Sequence, residues 1–185
     1  MGFKRKIYDS YYTPKPETAE TNEISFNMEK MKRGYTPNFK KIVSPAHKKL
    51  PEKPTPEDFI IEKKLGGGKF GTVYRAYHTK TGTVYALKKI EKKMLKENMF
   101  IDQFLREVKI QSFLKHRNVM ELYGIFDDEK HIYMILELMQ DGNLFTELKK
   151  KKKFEEKEAA DIIKQIASGL AYMQGNGIAH RDLKP

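Results

Sequence analysis

The stretch Gly66-Gly67-Gly68-Lys69-Phe70-Gly71-Thr72-Val73 limits the fold of this chain more than any other. It fits G-x-G-x-x-G-x-V, and glycines at this spacing serve more than one kind of phosphate-binding turn. In a doubly wound dinucleotide-binding fold the glycines must open a helix, with an acidic residue about 20 positions further on. Glu91 stands at about that distance from Gly71, but no helix follows the glycines. Thr72-Val73-Tyr74-Arg75-Ala76-Tyr77 is β-branched and aromatic and reads as a strand, as do residues 59–65 before the glycines. The turn at 66–71 is therefore the tip of a hairpin. Its glycines let the backbone approach a phosphate closely and offer it N–H donors. At this point an ordinary glycine-rich hairpin remains an alternative.

The pattern beyond the hairpin is α+β. Thr81-Gly82 makes a turn and residues 84–90 a third strand. Ile101, Phe104, Leu105, Val108 and Phe113 then mark one side of a helix. Residues 119–126 and 132–138 read as strands joined by the acidic turn Asp127-Asp128-Glu129. The expectation is a five-stranded antiparallel sheet with one inserted helix, followed by helices over 144–152 and 157–174. On the last helix Ile162, Ile166, Leu170 and Met173 form one stripe, and Ala159, Ile163, Ala167 and Ala171 a second. A helix apolar over so wide an arc is normally buried on several sides. The chain ends eleven residues after Gln174. The partners of this helix are therefore expected to be missing. Five uncovered side chains (Ile162, Ile163, Ile166, Leu170, Met173) would forfeit roughly 8–15 kcal/mol, as much as a whole domain's stability, so poor folding is expected.

Residues 1–58 read as an unstructured basic tail. They hold seven of the eight prolines and few aliphatic side chains, too little to offset chain entropy. Tyr8, Tyr11, Tyr12, Phe26, Tyr35 and Phe39 are spaced as short docking residues or as an inert tail. Thr13-Pro14, Thr36-Pro37, Ser44-Pro45 and Thr55-Pro56 are weak matches to proline-directed phosphorylation sites. The formal charge of +11 is dispersed along the chain and no nucleic-acid-binding motif accompanies it, so nucleic acid is not the expected partner. The largest cationic block, Lys149 to Lys153, reads as a solvated helix end or as an anion-binding patch. No Cys is present, which excludes disulfides, a Cys zinc site and a thiol nucleophile. No apolar run approaches the ~18 residues of a membrane span, and the start lacks a signal peptide's apolar region. Gly2 opens no myristoylation motif, because Lys6 stands where Ser or Thr is wanted.

Two further elements carry chemistry. In Val84-Tyr85-Ala86-Leu87-Lys88 the period of two puts Val84, Ala86 and Lys88 on one face. A Lys there is costly to bury without an anion, and a phosphate plus the carboxylate of Glu107 would supply one. The last motif, His180-Arg181-Asp182-Leu183-Lys184-Pro185, is long and specific to phosphoryl transfer. Asp182 can accept a hydroxyl proton, and Lys184 can neutralise charge on the transferred group. His180 reads as a residue that shapes the loop by packing, rather than as a base or metal ligand.

With these motifs together, the chain resembles the eukaryotic protein kinases over residues 59–185, and within them the Aurora family. The stretches that carry the resemblance are Leu65 to Tyr74, Arg106 to Leu114 and Glu121 to Phe126, with the spacing from Lys88 to Glu107. The resemblance implies a small lobe over 59–138 and the beginning of a helical large lobe over 139–185. It implies that Gly66, Gly67, Gly68, Lys69, Phe70, Gly71 and Thr72 form the loop over the ATP phosphates. Leu65, Val73 and Ala86 would cover the adenine. Lys88 would hold the α- and β-phosphates and pair with Glu107. Leu136 would stand as gatekeeper, and Glu137 and Met139 would offer hinge backbone groups. Asp182 would be the catalytic base with Lys184 its helper, a Lys position similar to Ser/Thr kinases. Arg181 would meet an activation-loop phosphate.

The implied activity is transfer of the ATP γ-phosphoryl group to protein Ser/Thr hydroxyls, with Mg2+. Implied partners are protein substrates and an activator on the small lobe or tail, with no membrane. By resemblance alone the location is cytoplasm and nucleus, with spindle or centrosome. The family's catalytic-loop Asn and Asp-Phe-Gly motif hold its magnesium, and neither occurs in this sequence. The 185 residues are therefore expected to be an incomplete and inactive piece, with no metal ligand of their own. The alternative is a naturally short, non-catalytic small-lobe module that binds nucleotide or a kinase regulator.

Overall fold

The structure is a computed structural model and describes residues 50, 53–68, 71–97 and 100–183. The tail positions singled out before residue 50, together with Lys69, Phe70 and Lys184, lie outside the described residues. The chain divides into two compact units. Among the described residues, one unit holds those up to Val108 together with Leu122–Leu138; the other holds Lys109–Glu121 and everything from Met139 on.

The first unit is built on five antiparallel strands: β1 (Phe59–Gly68), β2 (Gly71–His78), β3 (Thr83–Glu91), β4 (Leu122–Asp127) and β5 (His131–Leu136). Their order is β1-β2-β3-β5-β4. Alternation sorts the side chains onto two faces. One face is aromatic: Phe59, Ala76, Tyr85, Leu87, Phe126, Tyr133 and Ile135 are buried together, with Leu50 and Tyr123 against them. Phe126 stacks on Phe59 at 5.5 Å and on Tyr133 at 4.8 Å. The registers align Val73 with Lys88 and Lys88 with Met134 on the opposite face.

The hairpin turn is tighter than the sequence suggests. β1 runs on through Gly68, which pairs with Gly71 where β2 begins. Two helices rather than one follow β3: α1 (Lys92–Glu97) and α2 (Ile101–Phe113). α1 has one buried side chain, Leu95, so it leaves no periodic signal to read. On α2, Phe104, Leu105 and Val108 are buried, whereas Phe113, expected on the same stripe, is exposed.

Order also begins earlier than Phe59. Pro56–Asp58 is a 3-10 turn within the segment expected to be tail. The Asp58 carboxylate accepts from the Thr55 amide at 2.9 Å and pairs with Lys80 at 2.7 Å. The Thr79 amide donates to the Asp58 carbonyl at 2.9 Å. The hydrogen bond from Lys80 holds the Asp58 carboxyl below its ordinary pKa against the opposing effect of burial.

The second unit contains α3 (Leu144–Lys151) and α4 (Glu156–Gly175). Asn143 caps α3 by accepting from the Thr146 amide at 2.8 Å. β4 starts only at Leu122, because the apolar residues before it have other work. Leu114 and Val119 pack on Met173 of α4, with Ile110, Tyr172 and Ile178 around them. His116 stacks on Tyr172 at 5.0 Å, and the Tyr172 hydroxyl accepts from the Lys115 amide at 2.9 Å. Gly169 allows the close approach, since a Cβ there would lie 3.1 Å from the Asn118 carbonyl oxygen. α4 is thus better covered than the sequence suggests. Ile162 and Met173 are buried, and of the five large side chains only Ile163 is strongly exposed, at 63%. The forfeited burial falls mainly on that one residue, roughly 1.5–3 kcal/mol rather than a domain's worth.

Candidate active site

In the sheet unit, the residues singled out from the sequence fall on neighbouring strands. Gly66 of β1 pairs with Val73 of β2, and Val73 with Lys88 of β3. Ala86, two residues before Lys88, pairs with Leu136 of β5. Val73, Ala86, Lys88 and Leu136 are all buried. Residues opposed across antiparallel strands point to the same side, so a buried cation stands beside small and aliphatic side chains. Lys88 is only 8% exposed. Its Nζ lies 3.5 Å from Glu107 Oε1 on α2, an ion pair at the outer limit of a hydrogen bond. Neither group is a solvated surface charge.

The hairpin glycines have two different reasons to be glycine. Gly71 has φ +135°, and a Cβ there would lie 2.2 Å from the Lys89 carbonyl oxygen, so the fold itself demands glycine. Gly66 and Gly68 sit in extended strand backbone, and a Cβ on either would meet nothing within 4 Å. Neither packing nor backbone angle requires them. What they leave is uncovered main chain, the ground on which a phosphate can approach N–H donors. At Gly67 a Cβ would make only ordinary contact, 3.8–3.9 Å, with the Lys64 side chain and the Gly71 carbonyl oxygen. Thr72 is half-buried, and Leu65 is exposed next to them. Glu137 and Met139, just beyond β5, are half-buried.

In the helical unit, the motif at 180–183 forms a tight loop after α4. His180 is buried, and its carbonyl and Nδ1 both accept from the Asp182 amide, at 2.9 and 3.2 Å. With Nδ1 accepting, the neutral ring carries its proton on Nε2, which fits a residue that shapes the loop. Arg181 is exposed and has φ +60°, a left-handed conformation rare for a side chain this large. Such conformations persist where surrounding contacts hold them, and they cluster at functional loops. Asp182, next to Arg181, is half-buried.

Sequence reasoning missed Met134, which the register sets opposite Lys88. Extending the period of two back from Leu136 would have found it. It also missed the Arg75–Glu62 ion pair between β2 and β1. Among the described residues no three His, Asp or Glu gather in a set able to hold a metal ion. Nor, among them, is any helix long and apolar enough to cross a membrane.

The family model for the protein kinase domain matches residues 59–185. An Aurora kinase from Yarrowia lipolytica is 48% identical over 129 residues, which cover 70% of this chain and 35% of the relative. Serine/threonine-protein kinase Aurora-2 from Arabidopsis thaliana is 44% identical, over 71% of this chain and 46% of its own length. Aurora kinase A-B from Xenopus laevis is 36% identical over 100% of this chain and 47% of its own length. The chain therefore spans between a third and a half of these curated relatives.

Proposed function

This chain belongs to the protein kinase family and is Aurora-like, and from that premise we propose that it carries the ATP-binding and proton-accepting groups of a protein Ser/Thr kinase. The reaction moves the γ-phosphoryl group of ATP to a Ser or Thr hydroxyl. A new O–P bond forms at the hydroxyl oxygen, and the bond to the β–γ bridging oxygen breaks and leaves ADP. Asp182 accepts the hydroxyl proton and orients that oxygen. Lys88 neutralises the α- and β-phosphates, and Glu107 keeps its ammonium from turning away. The backbone at Gly66, Gly67, Gly68, Gly71 and Thr72 donates N–H groups to the phosphates. Leu65, Val73 and Ala86 cover the adenine, and Glu137 and Met139 offer main-chain groups to its edge. Lys69, Phe70 and Lys184 take the roles their motifs imply.

The observation that carries this reading is the buried Lys88. A cation 8% exposed, paired at 3.5 Å and set two register positions from Gly71, is poorly explained by folding alone. The described residues fit the triphosphate, through open glycine backbone and a buried ammonium. The family holds magnesium through its catalytic-loop Asn and its Asp-Phe-Gly motif, so no step here runs through the metal. The sequence contains no Asp-Phe-Gly. The 185 residues alone are therefore proposed to bind nucleotide without turning it over. Protein substrates, an activator on the sheet unit, and a cell-cycle setting in cytoplasm and nucleus belong to the same proposal. The test is labelling of a Ser/Thr protein substrate by γ-labelled ATP with the protein as isolated from its source, whatever its length, and its Asp182→Asn variant, followed by phosphoamino-acid analysis; the 185 residues by themselves should bind nucleotide and give no label. Phosphoserine or phosphothreonine that vanishes in the variant supports the reading. Label on tyrosine, or label indifferent to Asp182, overturns it.

A further inference from the structure

We propose that the lysine cluster ending α3 is a docking surface for an acidic peptide segment of a partner protein, separate from the phosphoryl-transfer residues. The cluster is Lys149 to Lys153, against a single acidic residue, Glu147, in residues 144–153. Lys150 pairs with Glu147 at 2.9 Å and Lys151 with Glu158 at 2.6 Å. Among the described residues no carboxylate pairs with Lys149, Lys152 or Lys153, and all three are exposed. Cations in the last turn of a helix suit its dipole, which accounts for Lys149, Lys150 and Lys151. It does not account for the next two. Lys152 has φ +64°, in the half of backbone space where glycine is the easier residue. Folding alone would favour glycine at 152, and like charges this close in the chain repel. The sequence keeps lysine there.

The surface also has an apolar element. Phe145 is 46% exposed, and Lys149 Nζ sits 4.3 Å from its ring centroid. The chemistry that fits is a short segment of Asp and Glu around one apolar side chain. Its carboxylates meet Lys149, Lys152 and Lys153 while the apolar group lies on Phe145. A larger anion fits less well. Past Phe154 come Glu155, Glu156 and Glu158, and a bilayer surface or a nucleic-acid backbone laid over the lysines would meet them as well.

The test uses the full chain and a short fluorescein-labelled peptide of Asp and Glu around a central Leu, read by anisotropy at low and raised salt. Saturable binding that weakens with salt is expected. The Lys149→Gln/Lys152→Gly/Lys153→Gln variant should lose about tenfold in affinity. Lys152→Gly alone should weaken binding while its thermal midpoint stays level or rises, a combination that loss of folding cannot produce. Lys93→Gln/Lys96→Gln on α1, a control that removes two exposed lysines away from the cluster, should bind as the unsubstituted chain does. The proposal is overturned if the peptide fails to saturate, if the triple variant binds equally well, or if the α1 control loses as much. It is also overturned if phosphatidylserine vesicles or a single-stranded oligonucleotide bind more tightly than the peptide and depend on the same lysines.

Discussion

Replacing Glu107 by Gln removes one charge from the Lys88 pair and leaves its shape. At 3.5 Å and an effective dielectric near 20, the attraction between the two charges is about 5 kcal/mol before desolvation. Removing one partner of a fully dry pair costs roughly 3–5 kcal/mol. This pair is not fully dry: the Lys88 and Glu107 side chains keep 10% and 18% of their exposure. The expected cost of Glu107→Gln is therefore lower, about 1–3 kcal/mol, measured as a shift in the urea midpoint. The double variant Lys88→Met/Glu107→Leu separates folding from function. With both charges replaced by apolar groups, stability should return to within about 1 kcal/mol of the unsubstituted chain. Nucleotide binding should not return, because the ammonium that meets the phosphates is gone. The assay is the rise in thermal midpoint on adding ATP or ADP. A double variant that keeps the full nucleotide-induced rise would refute the assignment of Lys88 to phosphate binding. A Glu107→Gln variant as stable as the parent would refute the electrostatic coupling.

Gly71→Ala should cost about 2–4 kcal/mol in urea unfolding, because it combines a positive φ with a 2.2 Å clash on the Lys89 carbonyl. Gly66→Ala, with open space around it, should leave stability level or slightly raised while weakening nucleotide binding, as read by the same melts. Met173→Ala, which opens a hole between Leu114 and Val119, should cost about 2–4 kcal/mol. Asp128 should make the fold acid-sensitive. Burial pushes its carboxyl pKa up, but hydrogen bonds from the Tyr133 hydroxyl and the His131 and Lys130 amides outweigh that and hold it well below the usual range. A depressed folded pKa means the stabilisation is present above the ordinary Asp value near 3.9 and is lost as pH falls below it. Asp128→Asn should thus cost about 1–2 kcal/mol at pH near 7, and the gap to the parent should narrow in urea titrations near pH 3.

The sheet was legible because its strands alternate and its turns carry glycine or acidic residues at the right spacing. Residues 84–90 announce β3 through Val84, Ala86 and Leu87, and the structure extends it by one residue at each end. The signal fails where apolar residues serve a partner other than their own strand. Val119 and Met120 look continuous with β4, yet they are buried in the loop before it, and Val119 packs on α4. A one-dimensional pattern records that a side chain is buried and does not record against what. α1 fails for the opposite reason, since a six-residue helix with one buried leucine has no period to detect. The Pro56–Asp58 turn did leave a signal, in Thr55-Pro56-Glu57-Asp58, a Thr followed three positions on by an acid. The prolines and charges around it hid the cap inside a composition that reads as tail.

The site was legible to the extent that its residue types are costly for folding. Lys88 stood out because alternation put a cation on a buried face, and the partner predicted for it, Glu107, lies 3.5 Å away. The hairpin glycines are more instructive, because spacing alone treats them as equivalent. The structure separates them: Gly71 is required by its own backbone and by the Lys89 carbonyl, whereas Gly66 and Gly68 are required by nothing in the fold. A residue that folding does not need, at a position where any larger one would fit, points outward to what approaches it. The same logic applies to Arg181. A left-handed arginine is unfavourable for the loop, and the amide of its neighbour Asp182 is tied back to His180 on both the carbonyl and the ring. The His-Arg-Asp spelling identifies the loop, but the left-handed backbone at Arg181 appears only in the structure.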